Sequence, residues 1–151
     1  MLLDQLTNDM KDAMRARDAL KLSVLRMILS DCKYVRVEKL RELEEADVVA
    51  VLKKGIKSRE DSVQQFSAAG RADLAEKEAA EAAILKAYLP EPLGGAELEA
   101  IVDAAIQESG ATSVKEMGKV MKIVLAAHGA RVDGKDVQRI VTARLGTAPK
   151  P

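Results

Sequence analysis

The chain of 151 residues is long enough for one domain, or two small modules, with an apolar core, because 48% of its residues are hydrophobic. Basic and acidic residues balance at 24 each, which excludes a positive field over the whole molecule that would attract nucleic acid. Two tyrosines, one phenylalanine and no tryptophan exclude a platform for stacked single-stranded bases. An RNA partner would therefore be held through its shape and its phosphates.

Two features of the sequence predict a cytoplasmic protein. The N-terminus has no basic region followed by an apolar run, and no apolar segment approaches the ~20 residues needed to cross a bilayer, so we expect no membrane partner. The single cysteine, Cys32, falls among Ile28, Leu29 and Val35 on the inner face of a predicted helix. We expect this thiol to be an inert part of the core in a reducing compartment.

The first module is predicted to contain four helices, because its apolar residues recur at three- and four-residue spacing. The first helix covers residues 2 to about 17. Asp18 is placed to cap the second helix, whose apolar face continues towards Leu40. Residues 48–52 lack the alternation of a half-buried strand, so we assign them to a third helix.

A boundary between two modules is predicted after the fourth helix. Asp73 and Glu76 have the spacing of a capping box at the start of that helix, and Pro90 ends it. Residues 90–95 hold two prolines and two glycines, which neither a helix nor a strand tolerates. The class is therefore all-α, an N-terminal helical hairpin bundle followed by a compact three-helix module. The predicted divisions are residues 1–90, residues 96–146 and a disordered tail at 147–151.

Residues 113–135 predict a basic helix followed by a polar turn. Ser113 and Glu116 have capping-box spacing at the helix start, and Gly129 is expected to end the helix in the left-handed conformation. Three lysines align on one face, apolar residues that include Leu125 align on another, and two further cations lie on the turn. These cations are Lys115, Lys119, Lys122, Arg131 and Lys135.

The charge of the second module is divided along the chain. Residues 91–114 contain five acidic and no basic residues, whereas residues 115–150 contain eight basic and three acidic residues.

The lysine stripe is either a solvated helix face or a patch that binds phosphates. Gly118 leaves two interpretations open as well, because a mid-helix glycine costs ~1 kcal/mol relative to alanine. It permits either close packing of a neighbouring helix or close approach of a ligand backbone.

No arrangement of residues in the sequence predicts catalysis. His128 is the single histidine, and we expect it to act as a cation at a helix C-terminus. With one cysteine and one histidine the chain cannot supply a conventional zinc tetrad. The nine glycines are scattered rather than gathered in a phosphate-cradling loop. We therefore predict no catalytic residue, no metal site and no cofactor.

Several separated motifs resemble the YqeY family, and together they cover nearly the whole chain. In the first module they lie at residues 22–27, 57–62, 69–74 and 88–90. In the second module they lie at residues 110–113, 117–122 and 129–135. The second set is also similar to the tail domain of the B subunit of the glutamine-dependent Asp-tRNA/Glu-tRNA amidotransferase.

The resemblance implies an all-helical fold and a connection with tRNA, whose outer elbow the amidotransferase tail contacts. Carried over by motif, the implied RNA contacts are Lys119, Lys122, Arg131 and Lys135, with Gly118 and Gly129 permitting close approach. Lys115 joins them through its place in the lysine stripe. The kinase-like cradle and the separate glutaminase subunit of that enzyme have no counterpart in these residues.

Three functions follow as hypotheses. The first is a cytoplasmic accessory protein that binds tRNA but not DNA and works beside an amidotransferase or an aminoacyl-tRNA synthetase. The second is a helical adaptor that docks on such an enzyme, which an exposed apolar stripe on the first module would favour. The third is a carbon-nitrogen ligase with glutamine as amide donor, which requires glutamine hydrolysis by the isolated chain.

Overall fold

The computed structural model describes residues 1–146, so the tail predicted at 147–151 lies outside the described residues. These residues form helices and no strand, which confirms the all-α class. The helices are α1 (Leu2–Arg15), α2 (Ala19–Lys39), α3 (Glu45–Ala68), α4 (Ala72–Lys86), α5 (Gly95–Ser109), α6 (Met117–His128) and α7 (Gly134–Leu145), with a 3-10 turn at Val114–Glu116 before α6. The chain divides into two compact units, Met1–Leu89 and a second unit that begins at Pro90.

The N-terminal unit consists of α1 to α4 around one apolar core. Leu6, Leu25, Ile28, Leu52 and Leu85 are its largest fully buried side chains. As expected, Cys32 lies in this core, and burial, with a smaller effect of Asp31, raises the pKa of its thiol to about 11. The thiol is therefore protonated and unreactive at neutral pH.

Close helix packing in this core depends on Gly55 of α3. A Cβ atom at this position would lie 2.8 Å from Cδ1 of Ile28 on α2 and 3.3 Å from Cδ1 of Leu85 on α4. Arg59, one turn later, is also buried and donates to the carbonyl oxygen of Gly55 at 3.1 Å. Its Nε donates to Glu81 of α4 at 3.1 Å, so this ion pair joins α3 to α4 where little water reaches it.

Two of the local predictions in this unit, one helix cap and one helical assignment, are confirmed, and one predicted helix start is wrong. Asp18 caps α2 by accepting from the backbone N–H of Lys21 at 3.1 Å, and α3 includes residues 48–52 as predicted. The capping box expected at Asp73 is absent, because the N-cap of α4 is Arg71, two residues before the predicted cap. Asp73 instead pairs with the Arg71 guanidinium at 3.3 Å within the first turn.

The end of α2 also differs from the prediction. Leu40 was expected on the inner face, but its side chain is 90% exposed and its backbone is left-handed, with φ 54°. The residues on either side explain this, because both bind the same carboxylate: Lys39 contacts Asp47 at 2.5 Å and Arg41 contacts it at 2.7 Å. The link to Asp47, at the start of α3, ends the helix before Leu40 can turn inward.

The C-terminal unit packs α5, α6 and α7 against one another. Its core contains Val102, Val120, Val124, Val137 and Val141, all of them fully buried. Gly110 ends α5 in the left-handed conformation, with φ 69°. Arg144 of α7 binds Asp103 of α5 at 2.9 Å and approaches Glu99 at 3.9 Å, so part of the positive charge of the later segment is paired with the acidic helix.

Candidate nucleic-acid interface

The start of α6 does not have the predicted capping box. Ser113 is extended and its side chain makes no cap hydrogen bond, and a 3-10 turn separates it from the α-helix. The carboxylate of Glu116 instead accepts from the backbone N–H of Thr112 at 2.6 Å. This bond and the nearby Lys119 lower the pKa of Glu116. A weaker backbone hydrogen bond from Ser113 also lowers this pKa, so Glu116 interacts with the predicted cap residue and with the residue before it.

One face of α6 is exposed and carries the predicted cations. Val120 and Val124 are buried, whereas Gly118, Lys119 and Lys122 are exposed. Residues three and four apart lie next to one another on a helix, so these three form one continuous surface. Lys115, in the preceding turn, is exposed as well. The structure therefore brings together four of the seven predicted site residues, and we call Lys115, Gly118, Lys119 and Lys122 the α6 face.

The charges of the α6 face are available for a partner. Lys119 lies 3.6 Å from Glu116, an exposed pair of the kind that contributes little to stability and is readily exchanged. Within residues 1–146, the amino groups of Lys115 and Lys122 form no ion pair. Leu125, which was expected to pack, is 42% exposed and lies one turn beyond Lys122 on the same side. The sequence alone did not distinguish Leu125 from the buried residues of α6, because its spacing also fits the buried apolar face of that helix.

Gly118 is not required by the internal packing of the protein. It is the second residue of α6 rather than a mid-helix residue, and a Cβ atom there would meet nothing within 4 Å. This excludes close packing against a neighbouring helix, one of the two interpretations of this glycine. The backbone of the first turn of α6 is therefore uncovered between the lysines.

Gly129 has a different role from the one predicted. Its backbone is right-handed, with φ −53° and ψ −34°, so the expected left-handed cap is wrong. Its N–H donates to the carbonyl oxygen of Leu125 at 2.9 Å, and an added Cβ would lie 2.5 Å from that oxygen. Glycine is needed because the chain closes tightly on its own backbone at this point. That internal contact requires glycine at this position, and whether RNA also approaches Gly129 stays a prediction.

Arg131 holds the turn between α6 and α7. Its Nε donates to the carbonyl oxygen of Glu91 at 2.9 Å, and its own carbonyl oxygen accepts from the N–H of Leu93 at 2.6 Å. The side chain is half-buried. Its guanidinium is thus engaged with the backbone of a segment 40 residues earlier in the chain.

Lys135 lies in the first turn of α7, which begins beside α6. Asp133 caps this helix by accepting from the N–H of Lys135 at 2.9 Å, and the Lys135 side chain is exposed. A Cβ atom on Gly134 would lie 3.8 Å from Cε of Met121. The start of α7 therefore lies near Met121 of α6, the residue that precedes Lys122.

Two further observations concern the described residues. No group of three or more histidine, cysteine, aspartate or glutamate side chains among residues 1–146 is arranged to hold a metal ion. In the same part of the chain, no helix combines the length and apolar character needed to cross a membrane.

Comparison with known proteins gives several relatives among fungi. An uncharacterized protein of Schizosaccharomyces pombe, C22F3.15, is 39% identical over 53% of this chain and 65% of its own length. The protein named "Altered inheritance of mitochondria protein 41, mitochondrial" is 29% identical in Pyrenophora tritici-repentis, over 95% of this chain and 83% of that protein. Its namesake in Saccharomyces cerevisiae is 34% identical over 62% of this chain and 51% of that protein. The chain thus spans less than two thirds of the first of these relatives.

The family comparison covers more of the chain than most of these pairwise matches. The family described as Yqey-like protein matches residues 3–145, which include all helical residues of both units except Leu2. This chain therefore belongs to the family of YqeY-like proteins.

Proposed function

We propose that this protein is a tRNA-associated accessory protein whose C-terminal unit binds folded tRNA through shape and phosphate contacts. The observation that carries the proposal is the α6 face, where three exposed lysines surround a glycine that internal packing does not require. Such a surface holds phosphates without reading base edges. By the resemblance of the tail, the part of the tRNA concerned is the elbow.

The geometry of the α6 face suits a phosphate backbone. Lys115 to Lys122 extend over roughly 10 Å along the helix axis, enough to follow adjacent phosphates of one strand. Gly118 leaves the helix backbone accessible between them, so that a sugar-phosphate chain can approach more closely than any side chain would permit. Lys135 adds a cation at the neighbouring start of α7, while Arg131 and Gly129 shape the turn.

The setting of this activity is part of the proposal. We place the protein in the cytoplasm, beside an amidotransferase or an aminoacyl-tRNA synthetase, as the sequence led us to expect. The word mitochondrial belongs to the names of the Pyrenophora tritici-repentis and Saccharomyces cerevisiae relatives, and it describes those proteins. Locating the tagged full-length protein in its native cells would test the cytoplasmic assignment directly.

The test is fluorescence anisotropy of labelled total tRNA against the full chain at several salt concentrations. In the variant Lys119→Ala/Lys122→Ala, we expect weaker binding for all tRNAs and a log–log salt slope that is smaller by about 2, because each lost phosphate contact removes about one released counterion. The matched control is Lys54→Ala/Lys57→Ala, which removes two exposed lysines with the same spacing from α3. An equal loss in both variants, or no binding by the unaltered chain at low salt, would overturn the proposal.

A further inference from the structure

One face of α2 is exposed and apolar along its second half. Met27 is 54% exposed, Tyr34 72% and Val37 71%, and with Ser30 they follow the spacing three, four, three. The opposite side of α2 is buried in the core of the N-terminal unit. An exposed apolar stripe in this unit is the feature that the adaptor hypothesis requires, and the charges along its edges indicate the kind of partner that fits it.

The two edges of this stripe carry opposite charges. Arg26 and Lys33, seven residues apart, lie on one edge, and Asp31 and Glu38, also seven apart, lie on the other. All four side chains are exposed, and none forms an ion pair within residues 1–146. Other cations near the end of α2 behave differently, since Arg36 and Lys39 are paired with Glu42 and Asp47.

This arrangement has the pattern of a parallel coiled coil. Met27 and Tyr34 occupy the first core position of two successive heptads, and Ser30 and Val37 occupy the second. In a parallel pair, each residue that flanks the core on one edge faces the residue five positions later on the partner. Arg26 would then face Asp31 of a second copy, and Lys33 would face Glu38. The two-fold axis repeats both pairs.

We propose that this face of α2 binds the same face of a second copy of the chain, with the two helices parallel. The charge pattern selects this partner and this direction. An antiparallel copy would place Arg26 and Lys33 beside the same cations of its partner, and the two acidic edges would likewise meet. A helix of another protein would have to carry the same charge arrangement to fit equally well.

Leu40 supports a binding role for this end of α2. A leucine in the left-handed region costs on the order of 1 kcal/mol, and an exposed leucine gains nothing from burial. The ion pairs of Lys39 and Arg41 with Asp47 nevertheless hold its backbone in that conformation. Leu40 directly follows the last residue of α2, so it adds an exposed leucine at the end of the helix that carries the apolar stripe. The seam is short, and we therefore expect a weak dimer that is populated at high protein concentration.

A cysteine placed in the seam tests the register. In a parallel symmetric pair residue 30 faces its own copy, so Ser30→Cys should form a disulfide-linked dimer under mild oxidation. Ser67→Cys, an exposed position on α3, is the matched control for random collisions. The buried native Cys32 remains in both variants. Linkage of Ser30→Cys no faster than that of Ser67→Cys would overturn the proposal.

Charge exchange tests the pairing itself. We expect sedimentation analysis to show that the average mass of the unaltered protein rises with concentration above that of the 16.3 kDa chain. Arg26→Glu/Lys33→Glu, with two acidic edges, should remain monomeric, and so should Asp31→Lys/Glu38→Lys, with two basic edges. Mixing the two variants should restore dimers. If mixing restores nothing, or if the unaltered chain stays monomeric at high concentration, self-association is refuted.

Discussion

Replacing Gly118 by alanine should affect stability and RNA binding in opposite directions. The added Cβ meets nothing within 4 Å, and the residue lies in the first turn of α6 without a positive φ. Alanine restricts the unfolded chain and favours the helix, so we expect a gain of about 0.5 kcal/mol. For a unit of this size, that corresponds to a rise in melting temperature of roughly 2–4 °C.

The same methyl group lies where the proposed tRNA backbone approaches the helix. If the phosphates come as close as an uncovered turn permits, the methyl group displaces them from the lysines, and the loss of affinity should be about tenfold. Because no charge is removed, the salt dependence should change less than in the double lysine variant. A more stable protein that binds tRNA less well is a combination that general misfolding cannot produce.

The assay combines thermal denaturation followed by circular dichroism with tRNA anisotropy on the same samples. Gly94→Ala is the matched control, because a Cβ at Gly94 also meets nothing within 4 Å but the residue precedes α5. Unchanged affinity in Gly118→Ala would refute close approach at this turn. A lowered melting temperature would show that the space around Gly118 has been described wrongly.

Three further predictions concern the N-terminal unit. Gly55→Ala should lower the free energy of unfolding by about 1–3 kcal/mol in urea denaturation, because its Cβ would lie 2.8 Å from Cδ1 of Ile28. Glu81→Ala should cost about 3 kcal/mol in the same assay, since it leaves the buried Arg59 guanidinium without its carboxylate. Hydrogen bonds from Arg41 and Lys39 are the main cause of the lowered pKa of Asp47. The ionised Asp47 carboxylate therefore stabilises the fold fully above the unfolded pKa of about 3.9, and this stabilisation disappears as the pH falls towards the lower folded pKa. The difference in urea midpoint between the unaltered protein and Asp47→Asn should therefore shrink on acidification below about pH 4.

Each of these has an outcome that would contradict it. An unchanged urea midpoint in Gly55→Ala would mean that Ile28 moves away freely. The double variant Arg59→Met/Glu81→Leu should recover much of the stability lost in Glu81→Ala, and no recovery would show that the ion pair is not the cause. A difference between Asp47→Asn and the unaltered protein that persists unchanged at low pH would exclude the ionised carboxylate as the source of stability.

Local signals in the sequence were sufficient for much of the fold. The cap at Asp18 and the helical assignment of residues 48–52 depend on neighbours within one or two turns, and both are confirmed. Leu40 was misplaced because its backbone is fixed by ion pairs to Asp47 on the next helix. A pattern of apolar spacing contains no information about such a link.

In the candidate site, too, some features follow from local sequence and others depend on tertiary contacts. The shared face of Lys119 and Lys122 follows from their spacing, and the structure has both exposed on α6. The conformation of Gly129 depends on how the following turn closes, and that turn is held by the bond from Arg131 to Glu91. Whether Gly118 faces a neighbouring helix or open space is likewise a question of tertiary packing, which the sequence left undecided.

The crowding around Gly55 has an evolutionary consequence. The atom nearest to a Cβ at position 55 is Cδ1 of Ile28, and valine lacks that atom. Positions 28 and 55 should therefore covary: where a relative has alanine at the position of Gly55, we expect a shorter side chain such as valine opposite it. Alanine at position 55 and valine at position 28 would each be harmful alone but neutral together, so sequences that carry both substitutions become accessible to evolution.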